Sequence, residues 1–207
     1  MLDRFANARL QPLLNRLARV LVRAGLSADA VTVAGFGVGL AGAAAIAFEA
    51  WWTGLALLLA SRLADGLDGA VARLTRPTDR GAFLDITLDF LFYASVPLAF
   101  ALADPARNAL PAAVLLVAFF GTGGSFLAFA VMAERRGLAN PKLPTKGFHY
   151  LGGLTEATET LIAFAAMCLW PAHFPVIALV FAALCAVTTV SRVVAGARAL
   201  SADAAPH

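Results

Sequence analysis

Four aspartates dominate the chemistry open to this chain. Asp65 and Asp68 stand three residues apart and Asp85 and Asp89 four apart, within LADGLDGAVARLTRPTDRGAFLDITLD. Each spacing puts a pair on one helix face, and an antiparallel pair of helices can bring the two faces together. Clustered carboxylates repel one another unless a cation joins them. An all-oxygen donor set suits Mg²⁺ or Mn²⁺, and two such ions roughly 3.5–4 Å apart suit phosphoryl transfer or the binding of a phosphate ester. Gly69 and Ala72 share the face of Asp65 and Asp68, and Gly81 precedes Asp85 by one turn, so backbone and diphosphate can approach closely. Arg73 offers a planar fork for a phosphate. The plainer reading has each Asp capping a helix or pairing with Arg62, Arg73, Arg76 or Arg80. It is disfavoured for these four, because ionisable residues inside an apolar helix are costly and mark ligand or ion sites.

These aspartates lie at the edges of apolar runs. Of 207 residues, 60% are hydrophobic and 14% charged, and the mean hydropathy is +0.79, which excludes an ordinary soluble domain. Apolar stretches near residues 30–48, 53–73, 82–103, 109–133, 148–169 and 175–198 are each about long enough to cross ~30 Å of hydrocarbon as a helix. The expected fold is therefore an all-α integral membrane protein. Six transmembrane helices form one domain over residues 25–199, preceded by an amphipathic interfacial helix over 1–24 and followed by a flexible tail over 200–207.

In the first helix, Leu13, Leu14, Leu17, Val20 and Leu21 make an apolar stripe, while Asn15, Arg16, Arg19 and Arg23 occupy other faces. That pattern suits a helix lying on an anionic surface. Pro12 suits its start, Gly25 its end, and Ser27 the N-cap of the first span. Gly35, Gly39 and Ala43 then recur every four residues, a small-residue face for helix packing.

Orientation follows from Lys and Arg in short loops. With six spans, the termini and the loops near 74–81 and 134–147 share one side, which holds nearly every basic residue, whereas Arg107 falls on the other. Both termini and the aspartates are thus expected on the cytoplasmic face of a bacterial inner membrane. The formal charge of +3 favours anionic headgroups and anionic substrates rather than nucleic acid. Cys168 and Cys185 lie in apolar helices without metal or disulfide spacing and read as small core residues.

The pattern D-x2-D-G-x2-A-R-x7-G-x3-D-x3-D, running from Asp65 to Asp89, resembles the signature of the CDP-alcohol phosphatidyltransferases, with no fixed position missing. Ser27, Asp29 and Thr32 resemble the family's first-span opening, although Ala28 stands where that pattern usually has proline. The later half, including KGFHYLGGLTEATET, looks like a bacterial branch of the family. The resemblance implies that Asp65, Asp68 and Asp85 are the principal ligands of two Mg²⁺ or Mn²⁺ ions, and that Asp89 is both a ligand and the general base. It further implies that Gly69, Arg73, Thr78 and the Asp29 to Thr32 segment bind the CDP moiety of CDP-diacylglycerol. A small alcohol would then attack the phosphorus carrying diacylglycerol, releasing CMP, in a homodimer embedded in the lipid bilayer.

Two other readings compete with this one. One transfers a CDP-activated amino alcohol onto diacylglycerol at the same metal site. The other is a non-enzymatic divalent-metal-binding membrane protein, such as a transporter, which would need ionisable residues along a path across the bilayer. For the acceptor, two features pull apart. Arg135, Arg136, Lys142 and Lys146 crowd the fourth-to-fifth loop and favour a phosphorylated acceptor such as glycerol 3-phosphate or an inositol phosphate. Glu156 and Glu159, expected two to three turns inside the fifth helix, favour a polyol or amino alcohol. The acids are weighted above the loop here, because loop charges also orient the protein in the membrane.

Overall fold

The computed structural model describes residues 2–136 and 155–201. Among them are seven α-helices: α1 (Leu2–Arg23), α2 (Ala28–Ala47), α3 (Trp51–Leu74), α4 (Asp79–Ala103), α5 (Pro105–Arg135), α6 (Ala157–Leu169) and α7 (Phe174–Ser201). A single 3-10 turn, Pro171–His173, precedes α7, and no described residue is in a strand.

Helix ends follow local chemistry. At φ 78° Gly25 takes the left-handed conformation that closes α1. The amides of Gly25 and Leu26 donate to the carbonyls of Val22 and Leu21, each at 3.0 Å, satisfying two acceptors at the helix end. The Ser27 hydroxyl then accepts the Ala30 amide at 3.2 Å and starts α2, a cap worth about 1 kcal/mol. Pro12 departs from expectation, since it lies inside α1 and not at its start. The helix continues past it at the loss of one backbone hydrogen bond.

The α1 stripe divides in two. Leu14 and Ala18 bury against Ala70 and Val71 of α3, whereas Leu13, Leu17 and Val20 are exposed. Next, α2 packs on both α3 and α4. Its small-residue face makes this close: a Cβ on Gly35 would lie 2.7 Å from the Ala64 Cβ, and one on Gly39 would lie 2.6 Å from the Phe92 ring. The stripe thus serves packing, and it seats α2 beside both aspartate-bearing helices. Away from the carboxylates the core is aromatic. Trp51 stacks on Phe100 at 5.5 Å and Phe100 on Phe174 at 4.5 Å, while Phe164 meets Phe92 and Phe119 edge to face.

Among the described helices, α2, α4, α5 and α7 with its preceding turn are long and apolar enough to cross a membrane. They expose large apolar side chains such as Val33, Leu98, Val117, Phe120 and Val180, as a protein solvated by lipid does. The 24 residues of α3 would span about 36 Å, but its second half carries the charged motif. The fifth expected span, 148–169, is the one that changes. Its first residues, 148–154, lie outside the described residues; Thr155 and Glu156 are not helical, and α6 begins only at Ala157. Glu156 is the N-cap of α6 and Glu159 sits in its first turn, so neither acid lies two to three turns inside a helix. The Glu156 amide donates to Glu159 Oε2 at 3.2 Å in a capping box, which gives both acids a helix-starting role.

Candidate active site

The carboxylates converge across α3 and α4. One oxygen from each of Asp65, Asp68 and Asp85 lies within 4.8 Å of the others. Asp68 is 5% exposed, and its Oδ2 is buried with no hydrogen-bond partner among the described residues. A buried anionic oxygen left without a donor is costly, and a divalent cation shared by three carboxylates removes that cost. The donor set, all hard oxygen, fits Mg²⁺ or Mn²⁺.

Asp89, expected as a fourth ligand, stands outside this group. Arg62 donates from Nη1 to Asp89 Oδ1 at 2.5 Å and lies 3.4 Å from Asp65 Oδ1, so one guanidinium bridges the two helices. Its Cζ lies 3.8 Å from the centre of the Phe92 ring and 5.5 Å from that of Tyr93. The sequence offered Arg62 only as one of four arginines able to pair with an aspartate. The signal that could have singled it out is its place one turn before Asp65, inside an apolar run.

Beside the carboxylates a cleft of about 540 Å³ opens between the starts of α2 and α4, the end of α3, and the links that join α1 to α2 and α3 to α4. It is lined by Asp29, Thr32, Gly69 and Thr78, with Asp68 and Asp85 at its inner edge. The Thr78 hydroxyl caps α4 by accepting the Gly81 amide at 3.0 Å. Gly81 is bare because a Cβ there would lie 3.1 Å from Asp29 Oδ1, and Arg80 holds Asp29 Oδ2 at 3.4 Å. Thr32 donates to the Ala28 carbonyl at 3.0 Å. Arg73 reaches back over Gly69, where its Nη1 would lie 3.3 Å from an added Cβ. The arginine that lines the cleft is Arg76 and not Arg73, so the cleft meets two helix N-termini, a bare glycine and Arg76, a setting that suits phosphate oxygens.

Of the candidate acceptor residues that are described, none lines this cleft. Arg135 ends α5, and the C-cap Arg136 donates from its side chain to the Leu200 carbonyl on α7. Lys142 and Lys146 lie outside the described residues. On α7, Arg192 donates to the Thr122 carbonyl at 3.2 Å.

Residues 26–191, which hold the whole site, match the sequence model of the CDP-alcohol phosphatidyltransferases. The chain belongs to this family. Inner membrane protein YnjF of Escherichia coli (strain K12) is 49% identical over 196 residues, 95% of each chain. Archaetidylinositol phosphate synthase of Methanothermobacter thermautotrophicus is 53% identical over 70 residues, 33% of this chain and 36% of that enzyme. Among solved structures, the Mycobacterium tuberculosis phosphatidylinositol phosphate synthase PgsA1 with CDP-DAG bound is similar with a TM-score of 0.66 at 25% identity, over 89% of this chain and 94% of that one. The same synthase in complex with manganese and citrate gives a TM-score of 0.65 at 25% identity, over 88% of each chain. CDP-alcohol phosphatidyltransferases are membrane transferases of phospholipid synthesis that use divalent metals, and the three-aspartate cluster of this member suits that use.

Proposed function

We propose that the chain transfers the phosphatidyl group of CDP-diacylglycerol to a small phosphorylated alcohol, with release of CMP, at the cytoplasmic face of a bacterial inner membrane. The observation that carries this reading is the junction of the Asp65–Asp68–Asp85 cluster with a cleft that opens on two helix N-termini. Those three aspartates would hold two Mg²⁺ or Mn²⁺ ions. Bound there, the ions would supply charge neutralisation and electrophilic activation of the diphosphate. Bare Gly69 admits the diphosphate backbone, Arg73 binds a phosphate oxygen, and Asp29, Thr32 and Thr78 orient the CDP group in the cleft. Asp89 takes the proton from the acceptor hydroxyl. The acceptor oxygen forms a bond to the phosphorus that carries diacylglycerol, and the bond from that phosphorus to the CMP oxygen breaks.

The capping role of Glu156 and Glu159 withdraws support from a polyol or amino alcohol held by those acids. A phosphorylated acceptor drawn by Arg135, Arg136, Lys142 and Lys146 gains by comparison. Relatives named as synthases of inositol phosphate lipids support the same choice, with an inositol phosphate as the first candidate. The test supplies purified protein with CDP-diacylglycerol, Mg²⁺ or Mn²⁺ and a panel of acceptors, and measures CMP release. Release that depends on metal and is fastest with an inositol phosphate is expected. CMP released instead from CDP-choline plus diacylglycerol would replace this reading with the amino-alcohol transfer.

A further inference from the structure

We infer that Phe48, Trp52 and Trp170 anchor the chain in the headgroup and ester layer of the leaflet away from the carboxylates, and so set the depth at which those carboxylates sit. The three rings belong to one rim. Trp51, at the start of α3, stacks on Phe100 near the end of α4, and Phe100 stacks on Phe174 at the start of α7. Arg107, near the start of α5, donates to the Ala172 carbonyl at 2.6 Å in the turn before α7. These contacts gather the helix links opposite the aspartates at one level. There Phe48 is 85% exposed, Trp52 73% and Trp170 57%. Successive helix residues point about 100° apart, so Trp51 packs inward while Trp52 faces out.

What these rings face follows from their neighbours. Each link sets an exposed ionisable group beside an exposed apolar one: Glu49 between Phe48 and Trp52, Arg107 one turn before Leu110, and His173 at the end of the short turn that follows Trp170. A carboxylate or guanidinium stays in water or among headgroups, whereas the ring beside it leaves water, so the boundary between the two passes through this rim. Indole suits that boundary, since its body is apolar and its N–H can donate to an ester carbonyl. The α2–α3 link is also held stiffly. Glu49 takes the left-handed region at φ 61°, and the amides of Phe48, Glu49 and Ala50 donate to the carbonyls of Ala44, Ile46 and Ala45 at 3.1, 2.9 and 2.8 Å. From Trp52 to Asp65 the helix covers about 20 Å, against ~30 Å of hydrocarbon. With Trp52 held at its boundary, a thicker bilayer draws the opposite headgroup layer away from the aspartates.

The test places the purified chain in phosphatidylcholine vesicles and reads its own indoles. Trp51→Phe with Trp170→Phe leaves Trp52 as the fluorophore, and Trp51→Phe with Trp52→Phe leaves Trp170. Host lipid brominated near the ester should quench each indole at least about twofold more than host lipid brominated near the methyl end of the acyl chain. Stronger quenching from the methyl end would put the rim inside the hydrocarbon, and no quenching from either lipid would show it covered by protein or lying in water. Both results overturn the inference. Should Trp51→Phe not fold, the quenching lost from wild type on Trp52→Phe or Trp170→Phe gives the same comparison. The second readout, CMP release, rests on the transferase reading above. Wild-type turnover should fall by about threefold or more when longer host acyl chains thicken the bilayer by several ångströms. The triple variant Phe48→Ala, Trp52→Ala and Trp170→Ala should lose most of that dependence, because it is free to shift toward the leaflet that holds the site. An equal fall in a triple variant that melts with wild type would overturn the depth-setting role, and Trp52→Ala alone takes its place should the triple variant not fold. If the wild-type chain releases no CMP with any acceptor, the transferase reading fails, while the quenching series still decides the anchor.

Discussion

Asp65, Asp68 and Asp85 share one cluster while Asp89 answers to Arg62, and variants should separate the two roles. Asp89→Asn should lower CMP release by about 10²–10⁴-fold, the range of a lost general base, while CDP-diacylglycerol still binds. Near-normal turnover would remove Asp89 from the proton transfer. Asp85→Ala should instead weaken Mn²⁺ binding by more than about 100-fold, beyond what loss of a mere partner to a ligand costs. A titration matching wild type would show that the cluster does not hold the ion. The four aspartates were legible in the sequence because helix periodicity turns spacings of three and four into shared faces. The pairing of Asp89 with Arg62 was not. It depends on which of several nearby arginines crosses from α3 to α4, and that is settled by Phe92 and Tyr93, which offer Arg62 a surface to lie on.

Helices were easier to read than their ends. The apolar runs located α2, α3, α4, α5 and α7 to within a few residues, since hydropathy averaged over a span is insensitive to its edges. The same averaging carried the fifth span through Thr155 and Glu156, where a capping box starts α6. Glu156→Gln and Glu159→Gln should therefore lower stability by about 0.5–2 kcal/mol, as the loss of a cap does, and leave acceptor KM unchanged. A shift in acceptor preference without a change in melting would restore these acids to the substrate site. Close packing of α2 gives a second check. Gly39→Leu has no room beside Phe92 and Ser61 and should destabilise the fold by about 1–3 kcal/mol or more. Because Phe92 also carries Arg62, turnover should fall in the same variant beyond what its lost stability explains. A variant as stable and active as wild type would contradict the observed contact between α2 and α4.

Across the whole molecule, apolar side chains face outward along the long helices and the carboxylates gather at one end. From the basic-residue bias we propose that this end faces the cytoplasm. A Thr78→Cys variant, with Cys168 and Cys185 replaced by serine, should react with an impermeant thiol reagent only when the cytoplasmic side is open to it. Labelling of intact cells from outside would invert the topology. The cleft beside Thr78 is also lined by Val22, Gly25 and Leu26, where α1 turns into α2, and we propose that its mouth lies there. A lipid whose acyl chains stay in the bilayer arrives at such a mouth by lateral diffusion, and the enzyme samples a two-dimensional solution. Its saturation curve should then follow the mole fraction of CDP-diacylglycerol in mixed micelles, falling on surface dilution with inert detergent even while the bulk concentration is held constant.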